Sequence, residues 1–329
     1  MKGRTTVPPP AASPRSGPVL GVALLLSTAL ASASCELSTV ELAEVQDVVV
    51  AEVYLRPDQD FHQAFLHRTL GRDGVTARVD GASITVRGSD GRVVTFAPAN
   101  DSSCLVPNGS DHARGTTGGI ADTGSCYIAP NQGRVGPGQS YVLEIDLPDG
   151  RKLSGSTTVP GDYHITRPAA PICVLEESDI QLVWTRSQGA WAYQADAVFT
   201  GLAAGLAARG VADPPDTLRL LGLAAGGNDT TMAFPGDLGI FDRYQIDIEI
   251  MRALQQGLPE GARVDVVIAA ADRNYVNWVR GGNFNPSGQV RISSLHGDGI
   301  GVFAALLGRT RRIETTAPRT EGTAWPRCE

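Results

Sequence analysis

The sequence predicts an all-β protein: two β-sandwich domains with a few short helices, carried behind a removable leader. Three observations predict it. Glycine is abundant, 38 of 329 residues, while aromatic residues make up only 6%. Short runs alternate apolar and polar side chains, the period of a half-buried strand. Gly, Asp, Asn and Pro separate those runs, as tight turns require.

The leader occupies residues 1–34. Residues 1–18 hold Lys2, Arg4 and Arg15 and no acid, and 19–30, VLGVALLLSTAL, are almost wholly apolar. A basic start, a short apolar centre and the small residues Ser32, Ala33 and Ser34 make an export signal. As a helix the apolar centre reaches about 18 Å, short of a hydrocarbon core of about 30 Å. Cys35 follows directly. Ser32–Cys35 resembles the end of bacterial lipoprotein signals, Leu-Ala-Gly-Cys, which are cut before a cysteine that becomes lipidated; Ser32 stands where Leu is usual. The resemblance implies lipidation at Cys35 with acyl chains such as palmitate. Each buried CH₂ contributes about 0.8 kcal/mol, so two or more chains hold firmly to a membrane.

Removal of residues 1–34, with three basic residues and no acid, leaves 25 basic against 35 acidic residues in 295, a charge near −10. Lys152 is then the only lysine. An acidic surface argues against nucleic acid, whose phosphates need a basic patch, and against peripheral attachment to anionic lipid heads.

Besides Cys35 there are four cysteines: Cys104, Cys126, Cys173 and Cys328. An even number in an exported chain suggests disulfides. Sequence order favours Cys104–Cys126 within the first half and Cys173–Cys328 around the second. In the chain-entropy picture these loops contribute roughly 3 and 5 kcal/mol. Zinc is the competing use, but no C-x-x-C and no Cys/His pair at ligand spacing occurs. No metal or cofactor is expected.

The first domain is expected over 35–165. DVVVAEVYL (47–55) is a β-branched strand. ASITVRGSDGRVVTF (82–96) is a hairpin with Ile84 and Val86 on one face and a turn at Asp90-Gly91, where glycine accepts positive φ. GQSYVLEIDLPDGRKLSGSTTVP (138–160) repeats the design, with Tyr141, Leu143, Ile145 and Leu147 inward. Residues 97–135 read as a Gly/Ser/Asn-rich loop held by Cys104 and Cys126, too polar to order itself.

TRPAAPIC (166–173) reads as a linker into a second domain over 166–329. IQLVWTRSQGAWAYQADAVF (180–199) reads as two strands around a turn at 187–189, with Trp184 in the first. This stretch resembles the B–C strand pair of fibronectin type III domains, a fold like that of immunoglobulin domains; Gly189, Ala190 and Tyr193 match its Gly-Ala-x-x-Tyr. YQIDIEIM (244–251) alternates as a strand with Ile246, Ile248 and Ile250 inward. ARVDVVIAAADRNYVNWVRGG (262–282) is a strand running into a short helix. Asp272 caps it, Tyr275 and Trp278 share a face, and Gly281-Gly282 ends it. QVRISSL (289–295) and GVFAALLGR (301–309) complete the strands.

Catalytic patterns are missing from the sequence. There is no H-E-x-x-H, G-x-S-x-G or S-x-x-K. His62 and His67 are five apart, unsuited to one metal on a helix or strand. Asp58 and Asp60 begin like a calcium loop but lack its glycine and terminal glutamate. ISSLHGDGIGVF (292–303) contains G-x-G-x-G, yet only 26 residues follow Phe303 and include Pro318 and Pro326. A dinucleotide fold needs a helix, a second strand and an acid beyond that loop. The glycines therefore read as a turn that lets the last strand bend and pair.

The chain resembles the domain-of-unknown-function 4249 family of bacterial outer-membrane lipoproteins. The resemblance lies in Cys35, VVVAEV, GASITVRGSDGR, GQSYVLEIDLPDGRKLSGSTTVP and NYVNW followed by ISSLHGDGIGVFAA. Ser294, Gly299, Gly301 and Phe303 fit the family's closing motif; Leu295-His296 replaces its usual Asn-Ile. It implies an outer-membrane, lipid-anchored protein with a binding or accessory role, beside a TonB-dependent receptor, and implies no catalytic residue. The rival expectation is an exported hydrolase assembled by folding, with Asp111 and His112 or His296 and Asp298 as first candidates. A cell-surface spacer is a third.

Overall fold

Two-residue periodicity decides most of the first half. The computed structural model describes residues 47–69, 78–100, 103–104, 124–175, 180–234, 247–280, 291–315 and 325–328. β1 (Val49–Leu55) is buried along nearly its whole length, as its continuous apolar run demands. β2 (Phe61–Arg68) lies antiparallel beside it. β3 (Ser83–Gly88) and β4 (Val93–Ala99) form the expected hairpin, with Ile84, Val86, Val94 and Phe96 buried. β6 (Ser140–Asp146) and β7 (Lys152–Thr158) form the other, each alternating exposed and buried residues throughout. β5 (Ser125–Pro130) corrects the sequence reading. It lies in the stretch read as loop, yet it pairs with both β2 and β4. Its Tyr127 is buried, and the hydroxyl donates to the Val79 carbonyl at 2.7 Å.

The second half contributes β8 (Ile165–Arg167), β9 (Ile172–Val174), β10 (Ile180–Trp184), β11 (Ala192–Thr200), helix α1 (Ala203–Ala208), β12 (Leu218–Gly226) and β13 (Thr231–Phe234). Then follow α2 (Ile248–Gln255), β14 (Arg263–Ala271), α3 (Arg273–Arg280), β15 (Leu295–Gly297) and β16 (Gly299–Glu314). Thirteen strands make one mixed sheet in the order β12-β11-β14-β16-β1-β2-β5-β4-β3-β6-β7-β15, with β9 also on β16. A second sheet holds β13-β10-β8.

Three readings change here. Residues 180–199 do form two strands, but β10 pairs with β13 and β8 while β11 pairs with β12 and β14. They lie in different sheets. YQIDIEIM is not a strand in its described part: α2 begins at Ile248, where the Asp247 carboxylate accepts the Glu249 N–H at 2.8 Å. Ile248 is 63% exposed, whereas Met251, Ala253 and Leu254 are buried. In QVRISSL, the described residues before Leu295 are not strand. Instead, the Ser293 hydroxyl accepts the Gly301 N–H at 3.1 Å and the Ser294 hydroxyl accepts the Phe303 N–H at 2.9 Å. The serines thereby serve the edge of β16 that lacks a strand there.

β16 is the strand on which the packing converges. Phe303 and Ala305 enter a core with Leu66, Ile84, Leu143 and Ile145. Leu307 and Ile313, on the same face further along, enter a second core with Leu182, Trp184, Tyr193 and Phe199. Val302, Ala304 and Leu306 point the other way, beneath Tyr275 and Trp278 of α3. Apart from three residues near the end of the chain, the first core draws on residues up to Val159, and the second begins at Tyr163. Those three, Leu295, Phe303 and Ala305, return to the first core. Val45–Glu329 makes one compact unit.

Entry into β16 depends on Gly301. β1 runs parallel to it with Ala51 opposite Gly301. The Gly301 φ is +146°, and a Cβ there would stand 1.9 Å from the Ala51 carbonyl oxygen. The sequence's G-x-G-x-G is thus a packing device. Both disulfides have formed, Cys104–Cys126 and Cys173–Cys328. The second ties β9 to the chain's end.

Gly301→Ala is expected to cost more than about 2 kcal/mol in urea unfolding, because a buried strand pair must separate. Gly136→Ala, where the nearest atom to a new Cβ is at 3.7 Å, should stay within about 0.5 kcal/mol.

Candidate functional site

The strongest candidate is a cleft of about 330 Å³ where the β6–β7 hairpin, the loop before β11 and the start of α3 meet. Each wall follows from local sequence. Alternation along the hairpin sends Ser140, Ser156 and Thr158 outward and Thr157 inward. The Ser140 and Thr158 hydroxyls share a hydrogen bond of 2.8 Å. Asp272 closes the floor. Its carboxylate accepts the Tyr275 N–H at 2.8 Å, the expected cap, and also the Thr157 hydroxyl. Asn274 donates to the carbonyls of Ser156 and Phe303, both at 2.8 Å, and so pins α3 to β7 and β16.

Trp191 forms the rim. It stands one residue before β11, and its backbone is gripped from both sides. Its N–H donates to the Ala271 carbonyl and its carbonyl accepts the Gly227 N–H, each at 2.9 Å. The indole is still 48% exposed. The Arg273 guanidinium lies 5.0 Å from the ring centre, a cation–π distance. The preceding loop is equally fixed: the Ser187 N–H donates to the buried Tyr193 hydroxyl at 2.8 Å. Tyr193 is the matched fibronectin-like tyrosine, packed edge-on against Trp184.

Burial raises the Asp272 carboxyl to about 6, against the opposing hydrogen bonds from Thr157 and Tyr275. Among the described residues, Asp272 and Arg273 are the only ionisable groups lining the cleft. The lining can hold a polar, uncharged surface through hydroxyls and an amide, and an apolar one on the indole.

Beneath α3 lies a polar network with a mechanical role. The Tyr275 hydroxyl donates to Gln194. The Trp278 indole N–H donates to Glu52 at 3.3 Å, and Arg291 stacks on Trp278 at 5.0 Å. These bonds hold the helix across β1 and β11.

Other sequence candidates are placed as follows. Asp58 receives two hydrogen bonds from Arg56, at 3.2 and 2.9 Å, beside Gly308. Asp60 is exposed. His62 and His67 lie on opposite faces of β2, as five-residue spacing on a strand dictates. His62 is fully buried, and its Nδ1 accepts the Arg56 N–H at 3.0 Å. His296 is exposed on β15, while Asp298 accepts the Lys152 N–H at 2.9 Å. Cys35, Asp111 and His112 lie outside the described residues. Among the described residues, no group of three or more His, Cys, Asp or Glu is arranged for a metal. Sequence reasoning missed Trp191, Arg273 and Asn274. The available signal was a large apolar residue at the outward position of QGAWAYQ.

No family model and no curated protein matches this chain.

Burial lowers the His62 imidazole to about 4, with Asp58 opposing. Its stabilising effect is complete above the unfolded value of about 6.5 and is lost as pH falls through 4. Asp272 has the reverse sign: its effect is complete below its unfolded value and is lost as pH rises through 6. Between these limits the two slopes, each about 1.4 kcal/mol per pH unit, offset one another. Urea titrations across that window should therefore show stability of Asp272→Asn falling relative to wild type on acidification. That of His62→Gln should fall on alkalinisation. Parallel pH profiles for all three proteins would contradict these environments.

Proposed function

We propose that this protein is a cell-envelope lipoprotein with a binding or accessory role, held to the outer membrane through Cys35. One observation carries the reading. Of five cysteines, four are joined in pairs, and the one left over stands where the leader resembles a lipidation site. Disulfides form and persist in oxidising, exported compartments, which agrees with the leader.

The arrangement of the second half supports a fibronectin-like reading. Strands β8, β10 and β13 form one sheet, and β12, β11, β14 and β16 run in order in the other. With β10 and β11 taken as the B and C strands, this is the strand order of a fibronectin type III sandwich. The first half, whose strands run on from β16 in the same large sheet, is read as the second sandwich by folding back on itself. Such modules serve as rigid scaffolds that present loops and clefts. Partnership with a TonB-dependent receptor rests on the resemblance to the domain-of-unknown-function 4249 family.

Binding is favoured over hydrolysis by the chemistry of the cleft. Hydrolysis of a glycosidic bond by the usual route takes two facing carboxyls, and among the described residues the lining offers one, Asp272. Acyl transfer by the usual serine or cysteine route pairs the nucleophile with a histidine base, and among the described residues no histidine lines the cleft.

Mass spectrometry of the mature chain should find an N-terminal Cys35 carrying acyl groups, in the outer-membrane fraction. Cys35→Ala should leave the protein unacylated and release it from that fraction. An unmodified N-terminus at another residue would overturn the proposal. Crosslinking in cells should then recover a membrane receptor of the TonB-dependent type.

A further inference from the structure

The Trp191 cleft has the attributes of a saccharide site, and we infer that it holds one or two pyranose rings of a short glycan. This rests on the binding role proposed above and names the ligand class.

Four observations converge on it. First, the space suits a small ligand: about 330 Å³ is at the lower end of small-molecule sites. Second, the rim is an indole held at a fixed height. Both backbone groups of Trp191 are hydrogen-bonded to neighbouring chain, yet the ring is half exposed. An aromatic left half exposed at the rim of a cleft, on a backbone held from both sides, offers a platform for the apolar face of a ligand. Third, the lining includes a row of hydroxyls, Ser140, Ser156 and Thr158, on the β6–β7 hairpin. Fourth, among the described residues the cleft lining carries one acid, Asp272, and one cation, Arg273.

A pyranose matches this asymmetry. One face of the ring presents C–H groups that pack on an indole, whose π surface is electron-rich. Its edge presents hydroxyls that donate and accept. Ser and Thr hydroxyls do the same, and water can complete the set. Arg273 lies over one face of the indole, so the pyranose would stack on the other, with the planar guanidinium donors suited to ring or glycosidic oxygens at its edge. A purely apolar ligand would strand the hydroxyl wall, and a nucleotide would bring phosphates to a site with a single cation. The cleft belongs to both halves of the chain, since the hairpin comes from the first and Trp191 and α3 from the second.

Calorimetric titration of the purified protein tests this with three uncharged probes: cellotriose, N-acetylated chitotriose and xylotriose. Binding of at least one at millimolar concentration or below is expected. Trp191→Ala should weaken it about tenfold or more, and Thr158→Val should weaken it measurably. Ile248→Ala, also exposed but on α2, should leave it unchanged. Far-ultraviolet circular dichroism matching wild type shows that the variants are folded. Failure of all three probes to bind the wild-type protein, or binding that survives Trp191→Ala, would overturn the inference. Membrane attachment is read separately, from the N-terminal mass, so anchoring and glycan binding stand or fall apart.

Discussion

β16 passes between three packed regions, and its position is set by how closely it approaches β1. At Gly301 the two backbones come so near that no side chain fits against Ala51. From that point the strand distributes its residues by simple alternation. Phe303 and Ala305 go to the first core, Leu307 and Ile313 to the second, and Val302, Ala304 and Leu306 to the layer under α3. A shift of one residue would invert all three assignments, because strand side chains alternate. Register here is therefore strongly specified. Gly308, whose new Cβ would meet Asp58 at 2.4 Å, fixes a second point further along.

The candidate site inherits its geometry from this strand. α3 is held over β16 by Asn274, and its first turn supplies Asp272 and Arg273 to the cleft. Trp191 is gripped by the end of β14, itself paired with β16. A rim residue and a helix start from distant parts of the chain thus meet with little freedom. Binding surfaces that are already ordered lose less entropy when occupied. The proposed anchor at Cys35 adds a location to this scaffold and asks nothing of the fold.

Much of the architecture was legible because it depends on local patterns. Both hairpins of the first half follow from alternation and a turn glycine. The β14-to-α3 transition follows from the change of period at Asp272. Both cysteine pairs follow from order along the chain. What was not legible depends on partners far away. β10 and β11 read as one hairpin, because no local signal says that a turn changes sheets. α2 read as a strand because Ile246, Ile248 and Ile250 alternate. The Asp247 cap and the burial of Met251 and Leu254 at helical spacing outweighed that pattern. Ser293 and Ser294 read as strand residues, whereas their hydroxyls act as substitutes for one. Within the cleft, Asp272 was legible as a cap. Its neighbours across the cleft come from residues more than eighty positions away, and only the fold brings them together.

If one strand unites the cores, they must lose structure together. Differential scanning calorimetry of the protein with both disulfides intact tests this directly. The account predicts a single transition whose calorimetric enthalpy equals its van't Hoff enthalpy, the signature of one cooperative unit. Two resolved transitions, one for each core, would contradict it.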